Sequence, residues 1–129
     1  MKRILILDDE TSIVFGLSRC LQSDKVDVIH CPDSQSAKGA VSRFGVDAII
    51  SDVRISAADS HESIDFIHYV RSRDRHLPLI VMSGTEDLKS EAMEEGADYF
   101  FQKPIDLDEL IRLLRNMGLE VGRNVEECC

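Results

Sequence analysis

The chain has 129 residues, of which 43% are hydrophobic and 30% charged, a balance typical of one soluble globular domain. Its formal net charge is −9, from 24 acidic and 15 basic residues, which argues against direct nucleic-acid binding because such binding needs a basic face. No apolar run is long enough to cross a membrane, and acids follow the first apolar run where a secretion signal would carry a cleavage site. We therefore expect a cytoplasmic protein that makes no membrane contact.

The cysteine pattern favours reduced thiols over a disulfide scaffold or a zinc site. No C-x-x-C pair is present among the four cysteines, which are Cys20, Cys31, Cys128 and Cys129. The terminal pair could in principle accept a prenyl group, but it does not fit the usual C-a-a-X pattern. Disulfide dimerisation through this pair in vitro is the better alternative.

Five short apolar runs alternate with helical patterns along the chain. The predicted strands are Ile4–Leu7, Val26–Ile29, Ala48–Ile50, Leu79–Met82 and Tyr99–Phe101. The first run is continuously aliphatic, as expected for a strand that is buried on both faces. Five strand–helix units in succession predict an α/β domain, with a doubly wound parallel sheet between two layers of helices.

Polar residues mark the starts of the predicted helices. Thr11 or Ser12 can cap the first helix, and Asp33 or Ser34 can cap the second. The last helix has the clearest signal, because Asp106 and Glu109 form a capping-box pattern.

Two further segments carry specific expectations. The spacing of the second helix places Phe44 on its inward face, and Gly45 is expected to end it. The small polar residues from Ser56 to His61 predict a loop, with the third helix carrying Ile64 beyond it.

Functional residues of a parallel sheet lie beyond the carboxyl ends of its strands. The polar residues at that edge are Asp8, Asp9, Glu10, Asp52, Ser83, Thr85 and Lys103. Each alone fits a helix cap, a turn residue or a solvated charge. Capping does not explain why several acids, a hydroxyl and a lysine should converge on one edge.

These residue types together suit phosphoryl transfer onto a carboxylate. A carboxylate can act as the nucleophile and form an acyl phosphate. Both reactants are negative, so a Mg²⁺ ion held by Asp8 or Asp9, Asp52 and a backbone carbonyl would offset the repulsion. The Ser83 hydroxyl and the Lys103 ammonium would contact the phosphoryl oxygens.

The motifs LILDDE, IISDVR, LIVMSG and GADYFFQKP, with the final amphipathic helix, resemble the receiver domain of bacterial two-component response regulators. The resemblance covers residues 2–117. It implies a flavodoxin-like fold with strand order 2-1-3-4-5. We accordingly expect a receiver domain over residues 1–118 and a tail or the start of a linker over residues 119–129.

The resemblance also implies a role for each residue of the acidic group. Asp52 is the expected phospho-acceptor. Asp8, Asp9, Asp52 and the backbone carbonyl of Arg54 would hold Mg²⁺, for which Mn²⁺ could substitute. Arg54 and Thr85 would tune the rate of dephosphorylation.

The same resemblance implies a switch beyond the metal site. Ser83 would follow the phosphoryl group, Lys103 would bind it, and the bond from Lys103 to Pro104 would be cis. Phe100 matches the aromatic residue that turns inward as the hydroxyl moves, which changes the face formed by the fourth helix, fifth strand and fifth helix.

The partners implied are a sensor histidine kinase or a histidine phosphotransfer protein as donor, and an effector domain or target protein as recipient of the signal. The chain would be a monomer, or a weak dimer through the fourth helix, fifth strand and fifth helix. It would not be an enzyme beyond its self-catalysed phosphoryl acceptance and autodephosphorylation.

One segment departs from the family pattern. After Asp52 relatives usually have Asp-x-x-Met-Pro and then Gly, whereas this chain lacks both the Pro and the Gly, and the segment is about three residues longer. A mobile or reshaped loop is therefore expected beside the site.

Three alternatives stay open on the sequence. A degenerate receiver would act as a phosphorylation-independent binding module. A phosphatase of the haloacid-dehalogenase type needs Asp-x-Asp after the first strand, where this chain has Asp8-Asp9-Glu10 and no cap domain. A flavodoxin-type cofactor carrier needs a phosphate-binding loop there, and none is evident.

Overall fold

The computed structural model describes residues 1–53 and 57–122, except for the side chains of residues 11 and 57–61. The predicted roles of Arg54, Cys128 and Cys129 fall outside these residues. Its five strands are β1 (Lys2–Leu7), β2 (Val26–Cys31), β3 (Ala48–Asp52), β4 (Leu79–Ser83) and β5 (Tyr99–Gln102). Its helices are α1 (Thr11–Leu21), α2 (Ser34–Arg43), α3 (Ala57–Arg73), α4 (Lys89–Glu95) and α5 (Leu107–Asn116).

All strand pairs are parallel, and the sheet has the order β2-β1-β3-β4-β5. The predicted flavodoxin-like fold and strand order are therefore confirmed. Adjacent β1 side chains point to opposite faces, with Leu5 in the core beneath α2, α3 and α4 and Ile4 and Ile6 in the core beneath α1 and α5. All three are fully buried, which explains why the strand is aliphatic throughout.

The predicted helix caps are confirmed for two helices and wrong for the first. Asp33 accepts a hydrogen bond from the Ser36 N–H at 2.7 Å, and Asp106 accepts one from the Glu109 N–H at 3.2 Å. At α1 the cap position is instead Glu10, which makes no side-chain capping bond. The Asp8 carboxylate accepts from the Glu10 N–H at 2.9 Å, so an acid two residues before the cap position orients the backbone that leads into α1.

The inward position predicted for Phe44 is also wrong. α2 ends at Arg43, and Phe44 has extended backbone angles of φ −118° and ψ 145°. Helical spacing therefore no longer sets its direction, and 48% of the residue is exposed. The Arg3 guanidinium covers the ring at 5.6 Å from its centroid.

The loop predicted for residues 56–61 is wrong from residue 57 onward, because α3 begins at Ala57. Ala57 and Ala58 are strong helix formers, and acidic residues in the first turns of a helix interact favourably with its dipole. These local preferences outweigh the polar composition that suggested a loop. Residue 56 lies outside the described part of the chain.

The segment after α5 packs onto the domain. Leu119 and Val121 are buried against the core on the α1 and α5 side. The Arg115 guanidinium donates to the Val121 carbonyl at 3.1 Å, and the Gly122 N–H donates to the Leu21 carbonyl at 3.0 Å. Residues 119–122 therefore tie the end of α5 to the end of α1.

No helix in the described residues is both long enough and apolar enough to span a bilayer.

We predict that Gly122→Ala lowers the free energy of unfolding by about 1–3 kcal/mol, because it places a Cβ in strained backbone. Gly122 has a φ of +64°, and a Cβ there would collide with the backbone carbonyl oxygen of Cys20. Gly39→Ala is the matched control, since Gly39 lies within α2 with nothing within 4 Å of an added Cβ. That variant should gain about 0.5–1 kcal/mol. Urea unfolding that gives both variants the same change would contradict the prediction.

Candidate functional site

Three carboxylates meet at the carboxyl edge of the sheet. Asp8 follows β1 and Asp52 ends β3, and these strands are neighbours, with Leu7 opposite Ser51. One oxygen from each of Asp8, Asp9 and Asp52 lies within 4.8 Å of the other two. Asp8 is 2% exposed and Asp52 9%, whereas Asp9 is exposed. Carboxylate oxygens in this number fit a hard divalent cation such as Mg²⁺, which usually keeps several waters.

Lys103 brings a positive charge between two of these acids. Its Nζ lies 3.0 Å from Asp52 Oδ1 and 3.3 Å from Asp8 Oδ2. The Lys103 N–H donates to the Ser83 carbonyl at 2.7 Å, which anchors the turn after β5 to β4, and the Lys103–Pro104 bond is cis as expected. With all four groups ionised, three negative charges and one positive charge leave a formal charge of −2 on Asp8, Asp9, Asp52 and Lys103. A divalent cation would balance it.

Burial and the neighbouring charges shift two ionisation equilibria here. Burial raises the pKa of Asp52, the Lys103 hydrogen bond lowers it, and the charge of Asp8 raises it again, so the net direction is upward. Burial alone would lower the pKa of Lys103, but its hydrogen bond and charge interaction with Asp52, together with Asp8, raise it above the ordinary value. Lys103 therefore stays cationic where the carboxylates are ionised.

The hydroxyl residues lie at the next strand end. Ser83 ends β4 one residue beyond Met82, which pairs with Asp52, and it is fully buried. Its Oγ accepts from the Thr85 N–H at 3.2 Å, and Thr85 Oγ1 accepts from the Asp87 N–H at 3.2 Å. Ser83 at the end of β4 and Thr85 in the turn after it thus lie on the same edge as the acids.

Phe100 lies in β5 opposite Val81 of β4. It is partly buried and packs against the core beneath α2, α3 and α4. Its neighbour Tyr99 points outward and is 43% exposed. The position of Phe100 therefore fits the switch aromatic, whose change of state stays a prediction.

The structure adds residues that the sequence interpretation missed. His30 Nε2 lies 2.9 Å from the Asp8 carbonyl oxygen, and the buried Ser63 hydroxyl donates to the Asp52 carbonyl at 3.4 Å. Ser63 shares a helical face with Ile67 and Val70. A prediction that began α3 before Ser63 would therefore have placed this hydroxyl on the buried face of the helix. The signal for His30 was its place at the end of a strand predicted to lie beside β1.

A cleft of about 220 Å³ opens beside Asp52 toward the ends of β2 and α3. Besides the acids of the site, its lining includes Asp33, Glu62 and Ser63. It gives solvent and small solutes access to the carboxylates. The carbonyl of Arg54, the predicted fourth metal ligand, lies outside the described residues.

The known proteins that this chain resembles in sequence are regulatory proteins that share one domain type. A model of the response regulator receiver domain matches residues 4–115. The transcriptional regulatory protein PrrA of Mycobacterium bovis is 28% identical over 122 residues, or 90% of this chain and 51% of PrrA. The transcriptional regulatory protein DctD of Pseudomonas aeruginosa is 29% identical over 127 residues, or 97% of this chain and 27% of DctD. The chain thus spans about half or less of these relatives' length.

Solved structures show the same architecture. The chemotaxis response regulator CheY4 of Vibrio cholerae superposes with a TM-score of 0.76 at 26% identity, over 91% of this chain and 98% of CheY4. The response regulator TrrA of Thermotoga maritima, in complex with Mg²⁺-BeF, has a TM-score of 0.77 at 21% identity, over 91% of this chain and 99% of TrrA. At that identity TrrA supports the fold alone. Because the family model spans residues 4–115, the chain belongs to the response regulator receiver domain family of two-component systems.

Proposed function

We propose that the chain accepts a phosphoryl group on Asp52 in a Mg²⁺-dependent reaction and passes the signal on through the face formed by α4, β5 and α5. The observation that carries this proposal is the placement of Lys103, whose ammonium bridges Asp52 and Asp8 while Asp9 lies within reach of both acids. A lysine solely for surface solubility would not be bound between two buried carboxylates.

The proposed reaction is an attack by one Asp52 carboxylate oxygen on phosphorus. The new bond is the O–P bond of an acyl phosphate, and the bond that breaks joins phosphorus to the imidazole nitrogen of a phosphohistidine donor. The leaving imidazole takes up a proton from solvent. Asp8, Asp9 and Asp52 would hold Mg²⁺, which supplies charge neutralisation during transfer; Mn²⁺ could substitute. TrrA, which shares this fold, was solved in complex with Mg²⁺-BeF.

Lys103 and Ser83 are proposed to respond to the new charge. The Lys103 ammonium, which pairs with Asp52 and Asp8 in the unphosphorylated structure, would also contact a phosphoryl oxygen. The Ser83 hydroxyl would move toward another phosphoryl oxygen and give up its contact with the Thr85 N–H. Since β4 carries Ser83 and pairs with β5, this movement is the proposed link to Phe100. Thr85, together with Arg54, is proposed to tune the release of phosphate.

The partners are proposed from the names of the relatives. PrrA and DctD are transcriptional regulatory proteins that extend well beyond the matched region. We propose a histidine kinase or histidine phosphotransfer protein as donor, and an effector domain or target protein that reads the α4, β5 and α5 face, through which a weak dimer could also form. Turnover of a separate substrate is not part of the proposal.

Intact-mass measurement after incubation with Mg²⁺ and acetyl phosphate tests phosphoryl acceptance directly. We expect one phosphoryl adduct on the wild type and none on Asp52→Asn, because an amide is not a competent nucleophile. Omission of Mg²⁺ should abolish the adduct. An adduct of equal yield on Asp52→Asn, or no adduct on a folded wild type under any of these conditions, would contradict the proposal.

The raised pKa of Asp52 predicts how stability varies with pH when Mg²⁺ is absent. A carboxyl group whose pKa is raised by folding contributes its full stabilisation at pH values below its ordinary pKa of 3.8, and that contribution is lost as pH rises through the folded pKa. The Asp52→Asn variant has no carboxyl group at this position, so it does not lose stability in this way. The free energy of unfolding of Asp52→Asn minus that of the wild type should therefore increase with pH through this window. Urea titrations at several pH values would show it, and a difference that is constant or decreases would contradict the assignment.

Ser83→Ala tests the proposed switch. The variant should lose about 1 kcal/mol of stability, because the Thr85 N–H loses its acceptor. It should still form the phosphoryl adduct. The changes in the NMR amide chemical shifts of β5 and α4 on phosphorylation should, however, be much smaller than in the wild type. Ser90→Ala, at an exposed position of α4, is the matched control and should respond like the wild type. Full shifts in Ser83→Ala would show that the hydroxyl does not link the site to β5.

A further inference from the structure

His30 occupies a position that neither the family pattern nor the proposed reaction explains. It lies on β2, an edge strand of the sheet, and its side chain reaches across to β1. Its Nε2 lies 2.9 Å from the backbone carbonyl oxygen of Asp8. A carbonyl oxygen can only accept, so Nε2 carries the hydrogen of this bond.

The bond completes the attachment of Asp8 to β2. The Asp8 N–H donates to the Cys31 carbonyl at 3.2 Å, which continues the β1–β2 ladder one residue past the strand. The Asp8 carbonyl, on the other side of the residue, is held by His30. The Asp8 side chain is tied separately, to the Glu10 N–H and to Lys103. Backbone and side chain of this buried acid are therefore both fixed.

The consequence extends to Asp9. The Asp8 carbonyl and the Asp9 N–H belong to one planar peptide unit, so a bond to that carbonyl restricts rotation of the whole unit. That rotation sets the direction in which the Asp9 carboxylate leaves the backbone. Asp9 is the exposed member of the three acids, and repulsion from Asp8 and Asp52 would otherwise favour orientations that point it away.

We propose that His30 is a positioning residue, whose imidazole N–H holds the Asp8–Asp9 peptide in the orientation that lets Asp9 join Asp8 and Asp52 around a divalent cation. This inference rests on the proposed function, because it assigns His30 to the same metal site. Mg²⁺ requires near-ideal geometry from its ligands, so a fixed peptide raises affinity by reducing the ordering needed on binding.

Mg²⁺ titration calorimetry on the full chain tests the proposal, with every variant measured at the same pH. His30→Ala should bind Mg²⁺ about three- to tenfold more weakly, because it removes one hydrogen bond, from an exposed imidazole, that orients the peptide carrying Asp9. His30→Gln should stay within about twofold of the wild type, since its amide nitrogen lies as many bonds from Cβ as Nε2 does and also donates. His76→Ala, which removes an exposed imidazole ahead of β4 at the opposite edge, is the matched control and should bind like the wild type.

A second readout distinguishes positioning from a general role in stability. The backbone ¹⁵N order parameter of Asp9 in the metal-free protein should be lower in His30→Ala than in the wild type or in His30→Gln, while urea unfolding confirms that each variant is folded.

Two results would overturn the inference alone: His30→Ala that binds Mg²⁺ as the wild type does, or His30→Gln that binds as weakly as His30→Ala. A wild type that neither binds Mg²⁺ nor forms a phosphoryl adduct would overturn the proposed function, and the role of His30 with it.

Discussion

The ion pairs from Lys103 to Asp52 and Asp8 hold together a site whose other members repel one another. Moving these charges out of water is costly, and their mutual attraction repays that cost only when the geometry is fixed. The remaining negative charge has no counterpart among the four groups. A divalent cation bound by the three carboxylates would therefore lower the electrostatic energy of the site. The apolar cores on the two faces of the sheet provide the stability that offsets this strain.

The sheet transmits its rigidity to the site through hydrogen bonds that continue one residue past the strands. Asp8 bonds to Cys31, Val53 bonds to Met82, and Lys103 bonds to Ser83. Each loop therefore leaves the sheet in a fixed direction. At the amino ends of the strands, a side chain provides the attachment: Arg71 of α3 donates to the Gly96 carbonyl at 2.7 Å and pairs with Asp98 at 2.9 Å. The end of α4 and the start of β5 are thus both anchored to α3.

The sequence predicted those parts of the site that depend on topology alone. Alternating apolar runs imply a parallel sheet, and a parallel sheet places Asp8, Asp52 and Lys103 on one edge whatever the details of their loops. Predictions of where helices begin and end were less accurate. The start of α1 is organised by Asp8 instead of by Thr11 or Ser12, and Phe44 turns outward because α2 ends one residue earlier. His30 could not be recognised from its own neighbours in sequence, since its partner lies on another strand. α3 begins earlier than predicted because the helix propensity of Ala57 and Ala58 outweighs the polar composition of the segment, which had suggested a loop.

Fluoroberyllate is the most direct test of the central claim, that these three carboxylates and Lys103 form a Mg²⁺-dependent phosphoryl site. It mimics a phosphoryl group on a carboxylate and needs no donor protein. Fluorine NMR of the wild type with beryllium fluoride should show a bound species in the presence of Mg²⁺. That species should be absent without Mg²⁺ and absent in Asp52→Asn. A folded wild type that shows no bound species, or one that survives both changes, would contradict the account.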